Sequence, residues 1–529
     1  MIRIALLGIM ILVSTSLVAQ DLNAWVYFKD KANTSTYLQN PGSMLTQRAL
    51  ERKQRHNISI DDRDVPVNQE YVAGIQRQPG ISYRTQSKWF NCAHVTGTFE
   101  NLQQLESLDY VQQVVYSDPS KNATTSSFNK FQEDILLPAN YGNTRNQIEM
   151  IGLDELHNQG HTGSGIIIAV TDSGFPNVDT NRAFATIRTE SRILGGYDFV
   201  AGNDSYFGDH FHGARVLSIM AGQVSNGDDQ YVGTAPDASY YLFRTEDDAS
   251  ETPVEMSYWV AAAERADSLG VDVVNVSLGY LGFDNPSESL NYEDMNGSSF
   301  ISRGATVATE KGMLIVTSAG NSGNSTFHPW IAAPADAPGV FAIGAVTPSS
   351  SKSSFSSIGP TRDGRIRPSV AAQGSATQLV EESGELKSGS GTSYSGPIIA
   401  GAMACLIQAY PQLSVAELIE AVQQTGTQSV SPDNQLGYGI PNFGNAFRTL
   451  SQQEITTVSD FKYYVKDKVL YIFSAPGESE YPFQLFNLQG QLILETQMEQ
   501  EDTVDLSQFS SGLYLFRSHG QSVAHKISL

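Results

Sequence analysis

Cysteine is almost absent from this chain: 529 residues contain two, Cys92 and Cys405. Two thiols so far apart make no disulfide framework, even in an exported protein. Cys405 lies in the apolar run 400–409 with no polar base beside it, which argues against a cysteine nucleophile. Positive charge is scarce too. There are 33 Lys and Arg against 56 Asp and Glu, a net charge of −23. Residues 1–118 hold 11 basic and 11 acidic side chains; the remainder holds 22 and 45 and carries the whole excess. An acidic body repels phosphate backbones, so nucleic acid is excluded as a natural partner. Long apolar runs are missing after the N-terminus. Arg3, the run Ile4–Val13 and Leu17-Val18-Ala19 before Gln20 read as a secretory signal over 1–19. That run is shorter than the roughly 20 apolar residues needed to span a bilayer, and no later stretch reaches that length. The expectation is an exported chain with no membrane span.

What is present is ordinary for a folded protein, 40% hydrophobic and 17% charged, in a length that calls for several folding units. After the signal, 20–117 reads as a small α+β unit. Strands are expected at Ala24–Phe28 and Val111–Tyr116, a basic helix at Met44–Arg55, and helical spacing over Leu102–Leu108. Residues 118–140 are rich in Ser, Thr, Asn and Lys and read as an exposed linker, where processing tends to fall. From 141 to 450, apolar strands (Ile166–Val170, Tyr240–Phe243, Val271–Val276, Met313–Thr317, Val340–Ala345) alternate with helical patterns at Val254–Ser268, Ser299–Lys311, Tyr394–Ala409 and Val415–Gln424. That alternation predicts an α/β fold, a parallel sheet flanked by helices. Over 455–529 brief strands such as Val469–Phe473, Phe483–Phe486 and Leu513–Arg517, broken by Gly, Pro and Ser, predict a small β-sandwich.

Three separated segments carry chemistry. Asp172 stands in Ala-Val-Thr-Asp-Ser-Gly, His212 in His-Phe-His-Gly and Ser393 in Gly-Thr-Ser-Tyr-Ser-Gly-Pro. A serine hydroxyl needs a base to take its proton, an imidazole can be that base, and a buried carboxylate can orient the imidazole. Asp172 follows a predicted strand and so emerges at its C-terminal edge, where ligands bind in open α/β sheets. His212 starts an apolar helical run; His210, two residues earlier, is its rival. Either could be a surface residue, and a His-x-His pair can bind metal, although no further His, Cys or Glu cluster stands near it. Ser393 precedes a long apolar helix, with Pro397 near its first turn, which places backbone donors beside a developing oxyanion. Asn321 in Ser-Ala-Gly-Asn-Ser-Gly could donate to that oxyanion. Taken singly, these read as a turn, a surface histidine, an N-cap loop and an Asx turn. Their joint order, Asp, His, Ser, with Asn between the last two, makes coincidence a poor explanation.

On Thr162-Gly-Ser-Gly-Ile-Ile-Ile-Ala-Val-Thr-Asp172-Ser-Gly, His212-Gly, Asn275-Val-Ser-Leu-Gly279, Ser318-Ala-Gly-Asn321 and Gly391-Thr-Ser393, residues 141–450 resemble the catalytic domain of the subtilisin family, the subtilases. The resemblance implies a serine endopeptidase with Asp172, His212 and Ser393 as triad and Asn321 as oxyanion donor. It also implies that Ser277, Leu278 and Gly279 pair as a strand with the substrate backbone. No cofactor is implied, and calcium is possible for stability. Two departures stand out: Arg215 where the family often has a second His, and Tyr394 where it usually has Met after the nucleophile. Neither position carries a proton in the reaction, so altered packing is expected.

The flanks are similar to known partners of such a domain. Residues 20–117 resemble a subtilase propeptide, which chaperones folding and inhibits the immature enzyme. Phe486-Asn-Leu-Gln-Gly490, Ser511-Gly-Leu-Tyr514 and Lys526-Ile-Ser-Leu529 resemble a C-terminal sorting domain of the type IX secretion system. That implies the secretion machinery as a partner and a route through the periplasm to the cell surface or medium. Two other readings remain: a catalytically dead subtilase kept as a binding module, and an esterase-type α/β-hydrolase. The latter fold carries its triad in the order Ser, Asp or Glu, His, which differs from the Asp, His, Ser order of this chain. The acidic loop Glu246-Asp247-Asp248 to Glu251 could favour basic substrates; a solvated loop is the plainer reading.

Overall fold

The computed structural model describes residues 21–118, 144–226, 229–457, 462–466, 468–473, 481–487, 491–498, 503–510, 512–518 and 525–528. The expected signal, 1–19, and all of the expected linker 118–140 beyond its first residue lie outside them. The chain divides into two units, 1–446 and 447–529.

The first unit begins with an antiparallel sheet of β1 (Leu22–Phe28), β2 (Ile81–Ser87), β3 (Cys92–Gly97) and β4 (Val111–Tyr116), in the order β2-β3-β1-β4. The strands β2 and β3 carry Ser, Thr, Arg and His, and so lacked the apolar signal that marked β1 and β4. The basic helix runs Gln47–Arg55, set one turn later than its pattern because Thr46 caps it by accepting from the Ala49 amide. The spacing over 102–108 resolves into a helix Phe99–Gln104 and a 3-10 turn Leu105–Ser107.

One face of this sheet encloses its own core, with Val26, Phe28, Val72, Ile75 and Val95. The other face packs on the helices Val254–Leu269 and Phe300–Glu310. There Trp25 stacks on Phe300 at 4.8 Å between ring centroids, and Trp25, Trp89 and Cys92 join the core formed by those helices. A chain of hydrogen bonds crosses the contact. Trp25 Nε1 donates to Ser257 Oγ (2.8 Å), which lies 2.7 Å from His94 Nδ1. His94 Nε2 lies 3.0 Å from Asn23 Oδ1, and the Asn23 amide donates to both Glu288 carboxylate oxygens at 3.1 Å. With its NH2 spent on Glu288, Asn23 presents to the ring an oxygen that only accepts, so a neutral His94 carries its hydrogen on Nε2 and accepts at Nδ1 from the Ser257 hydroxyl. Every partner is satisfied by a neutral imidazole. Burial holds the His94 pKa down to about 3.

Seven strands form the central sheet. They are β5 (Ile167–Asp172), β6 (Ile193–Asp198), then, after a hairpin of β7 (Gln223–Asn226) and β8 (Asp229–Val232), β9 (Ser239–Arg244), β10 (Val273–Val276), β11 (Leu314–Ser318), β12 (Phe341–Val346) and β13 (Val370–Gln373). They pair in parallel in the order β13-β12-β11-β10-β5-β9-β6. Every residue of β5, β10, β11 and β12 is buried, as expected of parallel strands covered on both faces. The predicted strands are present within one or two residues; β6 and β13, polar or very short, had no pattern to find. A second hairpin, β14 (Thr377–Val380) and β15 (Leu386–Gly389), precedes the long helix Thr392–Ala409.

The second unit holds two antiparallel sheets. One is β16 (Lys462–Lys466), β17 (Val469–Phe473) and β20 (Thr503–Asp505). The other is β18 (Tyr481–Phe486), β19 (Leu492–Met498), β21 (Leu513–Ser518) and β22 (His525–Ser528). Leu470, Phe483, Leu485, Val504, Phe516 and Ile527 are buried together. This is the expected small β-sandwich. Of the segments that resemble a sorting domain, Leu488, Gln489, Gly490, Ser511 and Leu529 lie outside the described residues.

Candidate active site

Parallel pairing brings the site together by aligning strand ends. Asp172 is the last residue of β5, Ser277 directly follows β10, and Asn321 lies three residues past β11. His212 opens the helix His212–Ala221, which packs against the helix that carries Ser393. His212 Nδ1 lies 2.8 Å from Asp172 Oδ1, and both side chains are buried. The same Oδ1 accepts from the Ser173 amide (2.8 Å) and the Ser173 hydroxyl (3.2 Å). Gly213 is required beside this pair, because a Cβ there would meet the Gly174 carbonyl at 2.4 Å and Asp172 Cβ at 2.8 Å. The rival His210 faces the Ser173 hydroxyl instead, at 3.1 Å through its Nδ1.

Ser393 is the second residue of its helix, whose N-cap is Gly391. Pro397 sits inside the helix at its sixth position rather than in the first turn, so it removes the amide that would bond to the Ser393 carbonyl. Ser277 repairs the loss: its hydroxyl donates to the Ser393 carbonyl (3.0 Å), and the Ser393 hydroxyl donates to the Ser277 carbonyl (3.2 Å). Asn275 Nδ2 donates to Ser277 Oγ (2.9 Å) and holds it in place. On the facing wall Asn321 Oδ1 accepts from both the amide and the hydroxyl of Thr392 at 2.8 Å. Its oxygen so engaged, Asn321 turns Nδ2 to the opposite side. Ser277, Leu278, Gly279, Asn321, Thr392 and Ser393 line one cleft. Tyr280 pairs with Ala333 through two backbone hydrogen bonds of 2.8 and 3.1 Å, which fixes the end of the 277–279 segment.

The two departures from the family pattern have defined surroundings. Arg215 lies 3.9 Å over the Phe211 ring and pairs with Glu381 at 3.1 Å. Tyr394, fully buried, packs its ring 5.8 Å from that of His212. Gly389 makes room for it, since a Cβ there would meet the Tyr394 ring at 2.6 Å. The acidic loop is not simply solvated. Asp248 is exposed, but Glu246 is buried and accepts from the Tyr280 hydroxyl, and the Asp247 amide donates at 2.8 Å to Glu255, buried in the helix that follows. Their hydrogen-bond donors lie inward, which strand-and-loop patterns in the sequence could not indicate. Thr392 and the Ser277 hydroxyl carry no local signal either, because they act through side-chain bonds to residues distant in sequence. Among the described residues no group of three or more His, Cys, Asp or Glu could hold a metal ion, so the calcium that the resemblance allows has no carboxylate cluster to fit.

The model of the subtilase family matches residues 163–439, that of the Peptidase S8 propeptide domain of Bacteroidota matches 23–132, and that of a secretion-system C-terminal sorting domain matches 466–528. Subtilisin DY of Bacillus licheniformis is 29% identical over 280 residues, 53% of this chain and 90% of that protein. Subtilisin BL of Lederbergia lenta is 30% identical over 55% of this chain and 94% of its own length. For subtilisin NAT of Bacillus subtilis subsp. natto the match, at 30% identity, spans 65% of that protein. A crystal structure of MycP1 with its N-terminal propeptide removed aligns with 57% of this chain and 96% of that one, at 23% identity and a TM-score of 0.46. The class is therefore a serine-type endopeptidase, a hydrolase, with a propeptide before it and a sorting domain behind it. The chain belongs to the subtilase family.

Proposed function

We propose that the chain is an exported zymogen that cleaves peptide bonds with Ser393 as nucleophile, His212 as general base, Asp172 as the carboxylate that orients it, and Asn321 as oxyanion donor. The observation that carries this reading is the buried 2.8 Å bond between His212 Nδ1 and Asp172 Oδ1 beside the cleft that holds Ser393. A proton on Nδ1 directed at Asp172 leaves Nε2 as the base. As substrate binds, the Ser393 hydroxyl exchanges the Ser277 carbonyl for the imidazole and attacks the scissile carbonyl; its proton passes to His212 and then to the leaving amine. The oxyanion is met by Asn321 Nδ2 and by the Ser393 amide, one of the unpaired donors of the first helical turn. Ser277, Leu278 and Gly279 would pair with the substrate main chain. No step needs a cofactor. We further propose that 20–117 is removed by cleavage within 118–140, and that 455–529 takes the chain through the periplasm and type IX machinery to the surface or medium.

Labelling with a fluorophosphonate tests the assignment. The processed enzyme should label, Ser393→Ala and His212→Ala should not, and His210→Ala should keep labelling. Label retained on Ser393→Ala removes that serine as nucleophile; label lost on His210→Ala and kept on His212→Ala reverses the choice of base.

Release of the propeptide should respond to acid through His94. Its pKa is about 3 when docked and returns toward 6.5 once its face is exposed. A group whose pKa is depressed on docking contributes fully above 6.5, and its contribution is lost as the pH falls from there toward 3. Between pH 7 and pH 5 docking should weaken by about 2 kcal/mol, roughly 30-fold in dissociation constant. Glu264 works the other way: buried against Ser87, Lys88 and Trp89, its carboxyl is pushed up by burial and gains a proton more readily when docked. Inhibition of the processed complex, followed at pH 7 and pH 5, checks the balance. His94→Asn should abolish most of the acid release; an unchanged pH ratio in that variant would refute the role of His94.

A further inference from the structure

Three strands of the central sheet end on one rung. Asp172 of β5 is the register partner of Arg244 of β9, and Arg244 is in turn the partner of Asp198 of β6. The Arg244 side chain is buried, 8% exposed, and its guanidinium reaches four segments. It lies 3.0 Å from Asp198 Oδ2, donates through Nε to the Ser173 carbonyl at 3.2 Å, and stands 3.4 Å from Asp209 and 3.8 Å from Asp247. Two of these contacts are one step from the candidate base and its carboxylate. Ser173 follows Asp172 and gives it two hydrogen bonds. Asp209 begins the Asp-His-Phe-His turn that delivers His212, with a left-handed φ of 65°, and bridges to Gly174. The two loops are thus tied to each other and both to Arg244.

We propose that Arg244 is a positioning residue for the reaction, holding the Asp172 and His212 loops in register through its planar fork. Its cation also balances the carboxylates that surround the pair. This rests on the reading of Asp172 and His212 as the pair that activates Ser393. The charged and titratable groups around it are Asp172 on β5, Asp198 at the end of β6, Asp209 and His210 on the histidine loop, and Asp247 on the loop after β9. One cation faces several anions, so its loss leaves the site more negative and makes a protonated imidazole easier to form. A lysine keeps the charge and loses the fork that spans a carbonyl and a carboxylate together.

Arg244→Lys and Arg244→Met, each normalised to active sites titrated with a fluorophosphonate, separate the two contributions. Arg244→Lys should lower kcat per titrated site about ten-fold, with KM and the acid limb of kcat/KM unchanged, because the substrate cleft lies on the far side of the pair. Arg244→Met should also move the acid limb to higher pH, by about half a unit or more. A merely structural arginine would reduce the number of titratable sites and leave kcat per site and the limb alone. That result in both variants overturns the proposal. If Arg244→Met yields no folded enzyme, Arg244→Lys decides: kcat within two-fold of the parent refutes it. Labelling that persists in Ser393→Ala would instead refute the active-site reading beneath it.

Discussion

Ser393→Ala is expected to lower kcat on a peptide substrate by roughly a million-fold, a magnitude established for subtilisin, a relative of this chain, and carried over from it. The same should hold for His212→Ala, and the double variant should be no worse than either single one. Residues that act as a unit are non-additive: once the base is gone the hydroxyl has nothing to give its proton to. Losses that multiply in the double variant would mean that the two side chains act independently, against the proposed mechanism. What remains, about 10³- to 10⁴-fold over water, would come from the oxyanion donors and substrate binding. The Ser393 variant should still fold. Among the described residues its hydroxyl donates to the Ser277 carbonyl at 3.2 Å, and a bond of that kind contributes on the order of 1 kcal/mol. A melting temperature within a few degrees of the parent beside the lost rate separates chemistry from stability. If the enzyme cleaves its own propeptide, this variant should also accumulate at the length of the uncut chain.

Much of this arrangement was legible because parallel strands and their helices write strong patterns. Asp172 could be placed because the run before it is apolar and β-branched, and parallel pairing must then set its end beside those of β10 and β11. Ser393 and His212 could be placed because each begins an apolar helix. The choice between His210 and His212 turns on which imidazole reaches Asp172, and the His-Gly step before a helix pointed to the same residue. What stayed hidden was set by tertiary register rather than local pattern. Arg244 reads as an ordinary strand-terminal arginine until its partners across β5 and β6 are known. The strand β3 has His94 in place of an apolar residue, because its two ring nitrogens are answered by Ser257 and Asn23, both distant in sequence. The helix Gln47–Arg55 reads only as basic, yet Arg52 and Lys53 are buried.

That buried helix carries the second large effect. Asp267, fully buried, binds the Arg52 guanidinium and the Lys53 ammonium, the latter at 2.8 Å. Asp64, also fully buried, takes Lys311 at 2.7 Å and Lys53 at 3.5 Å. Arg52 further donates to the Val271 carbonyl, just before β10, so the propeptide arm grips the sheet at its lower edge. Removing one partner of a buried ion pair leaves the other charged, desolvated and unanswered, at a cost of about 3–5 kcal/mol. Asp267→Ala in the unprocessed chain leaves Arg52 without a carboxylate and Lys53 with only the longer Asp64 contact at 3.5 Å, so a loss within that range is expected, read as a fall in the denaturant midpoint. In the processed enzyme the sign should change. Asp267 lies in the last turn of Val254–Leu269, which ends at Gly270, and a carboxylate there opposes the negative end of the helix dipole. Freed of Arg52 and Lys53, it offers that helix no gain, so Asp267→Ala should be neutral or stabilise by a few tenths of a kcal/mol. A similar loss in both forms would show that Asp267 supports the catalytic domain itself. A loss confined to the uncut chain would identify the cluster as a clamp that the propeptide brings and takes away.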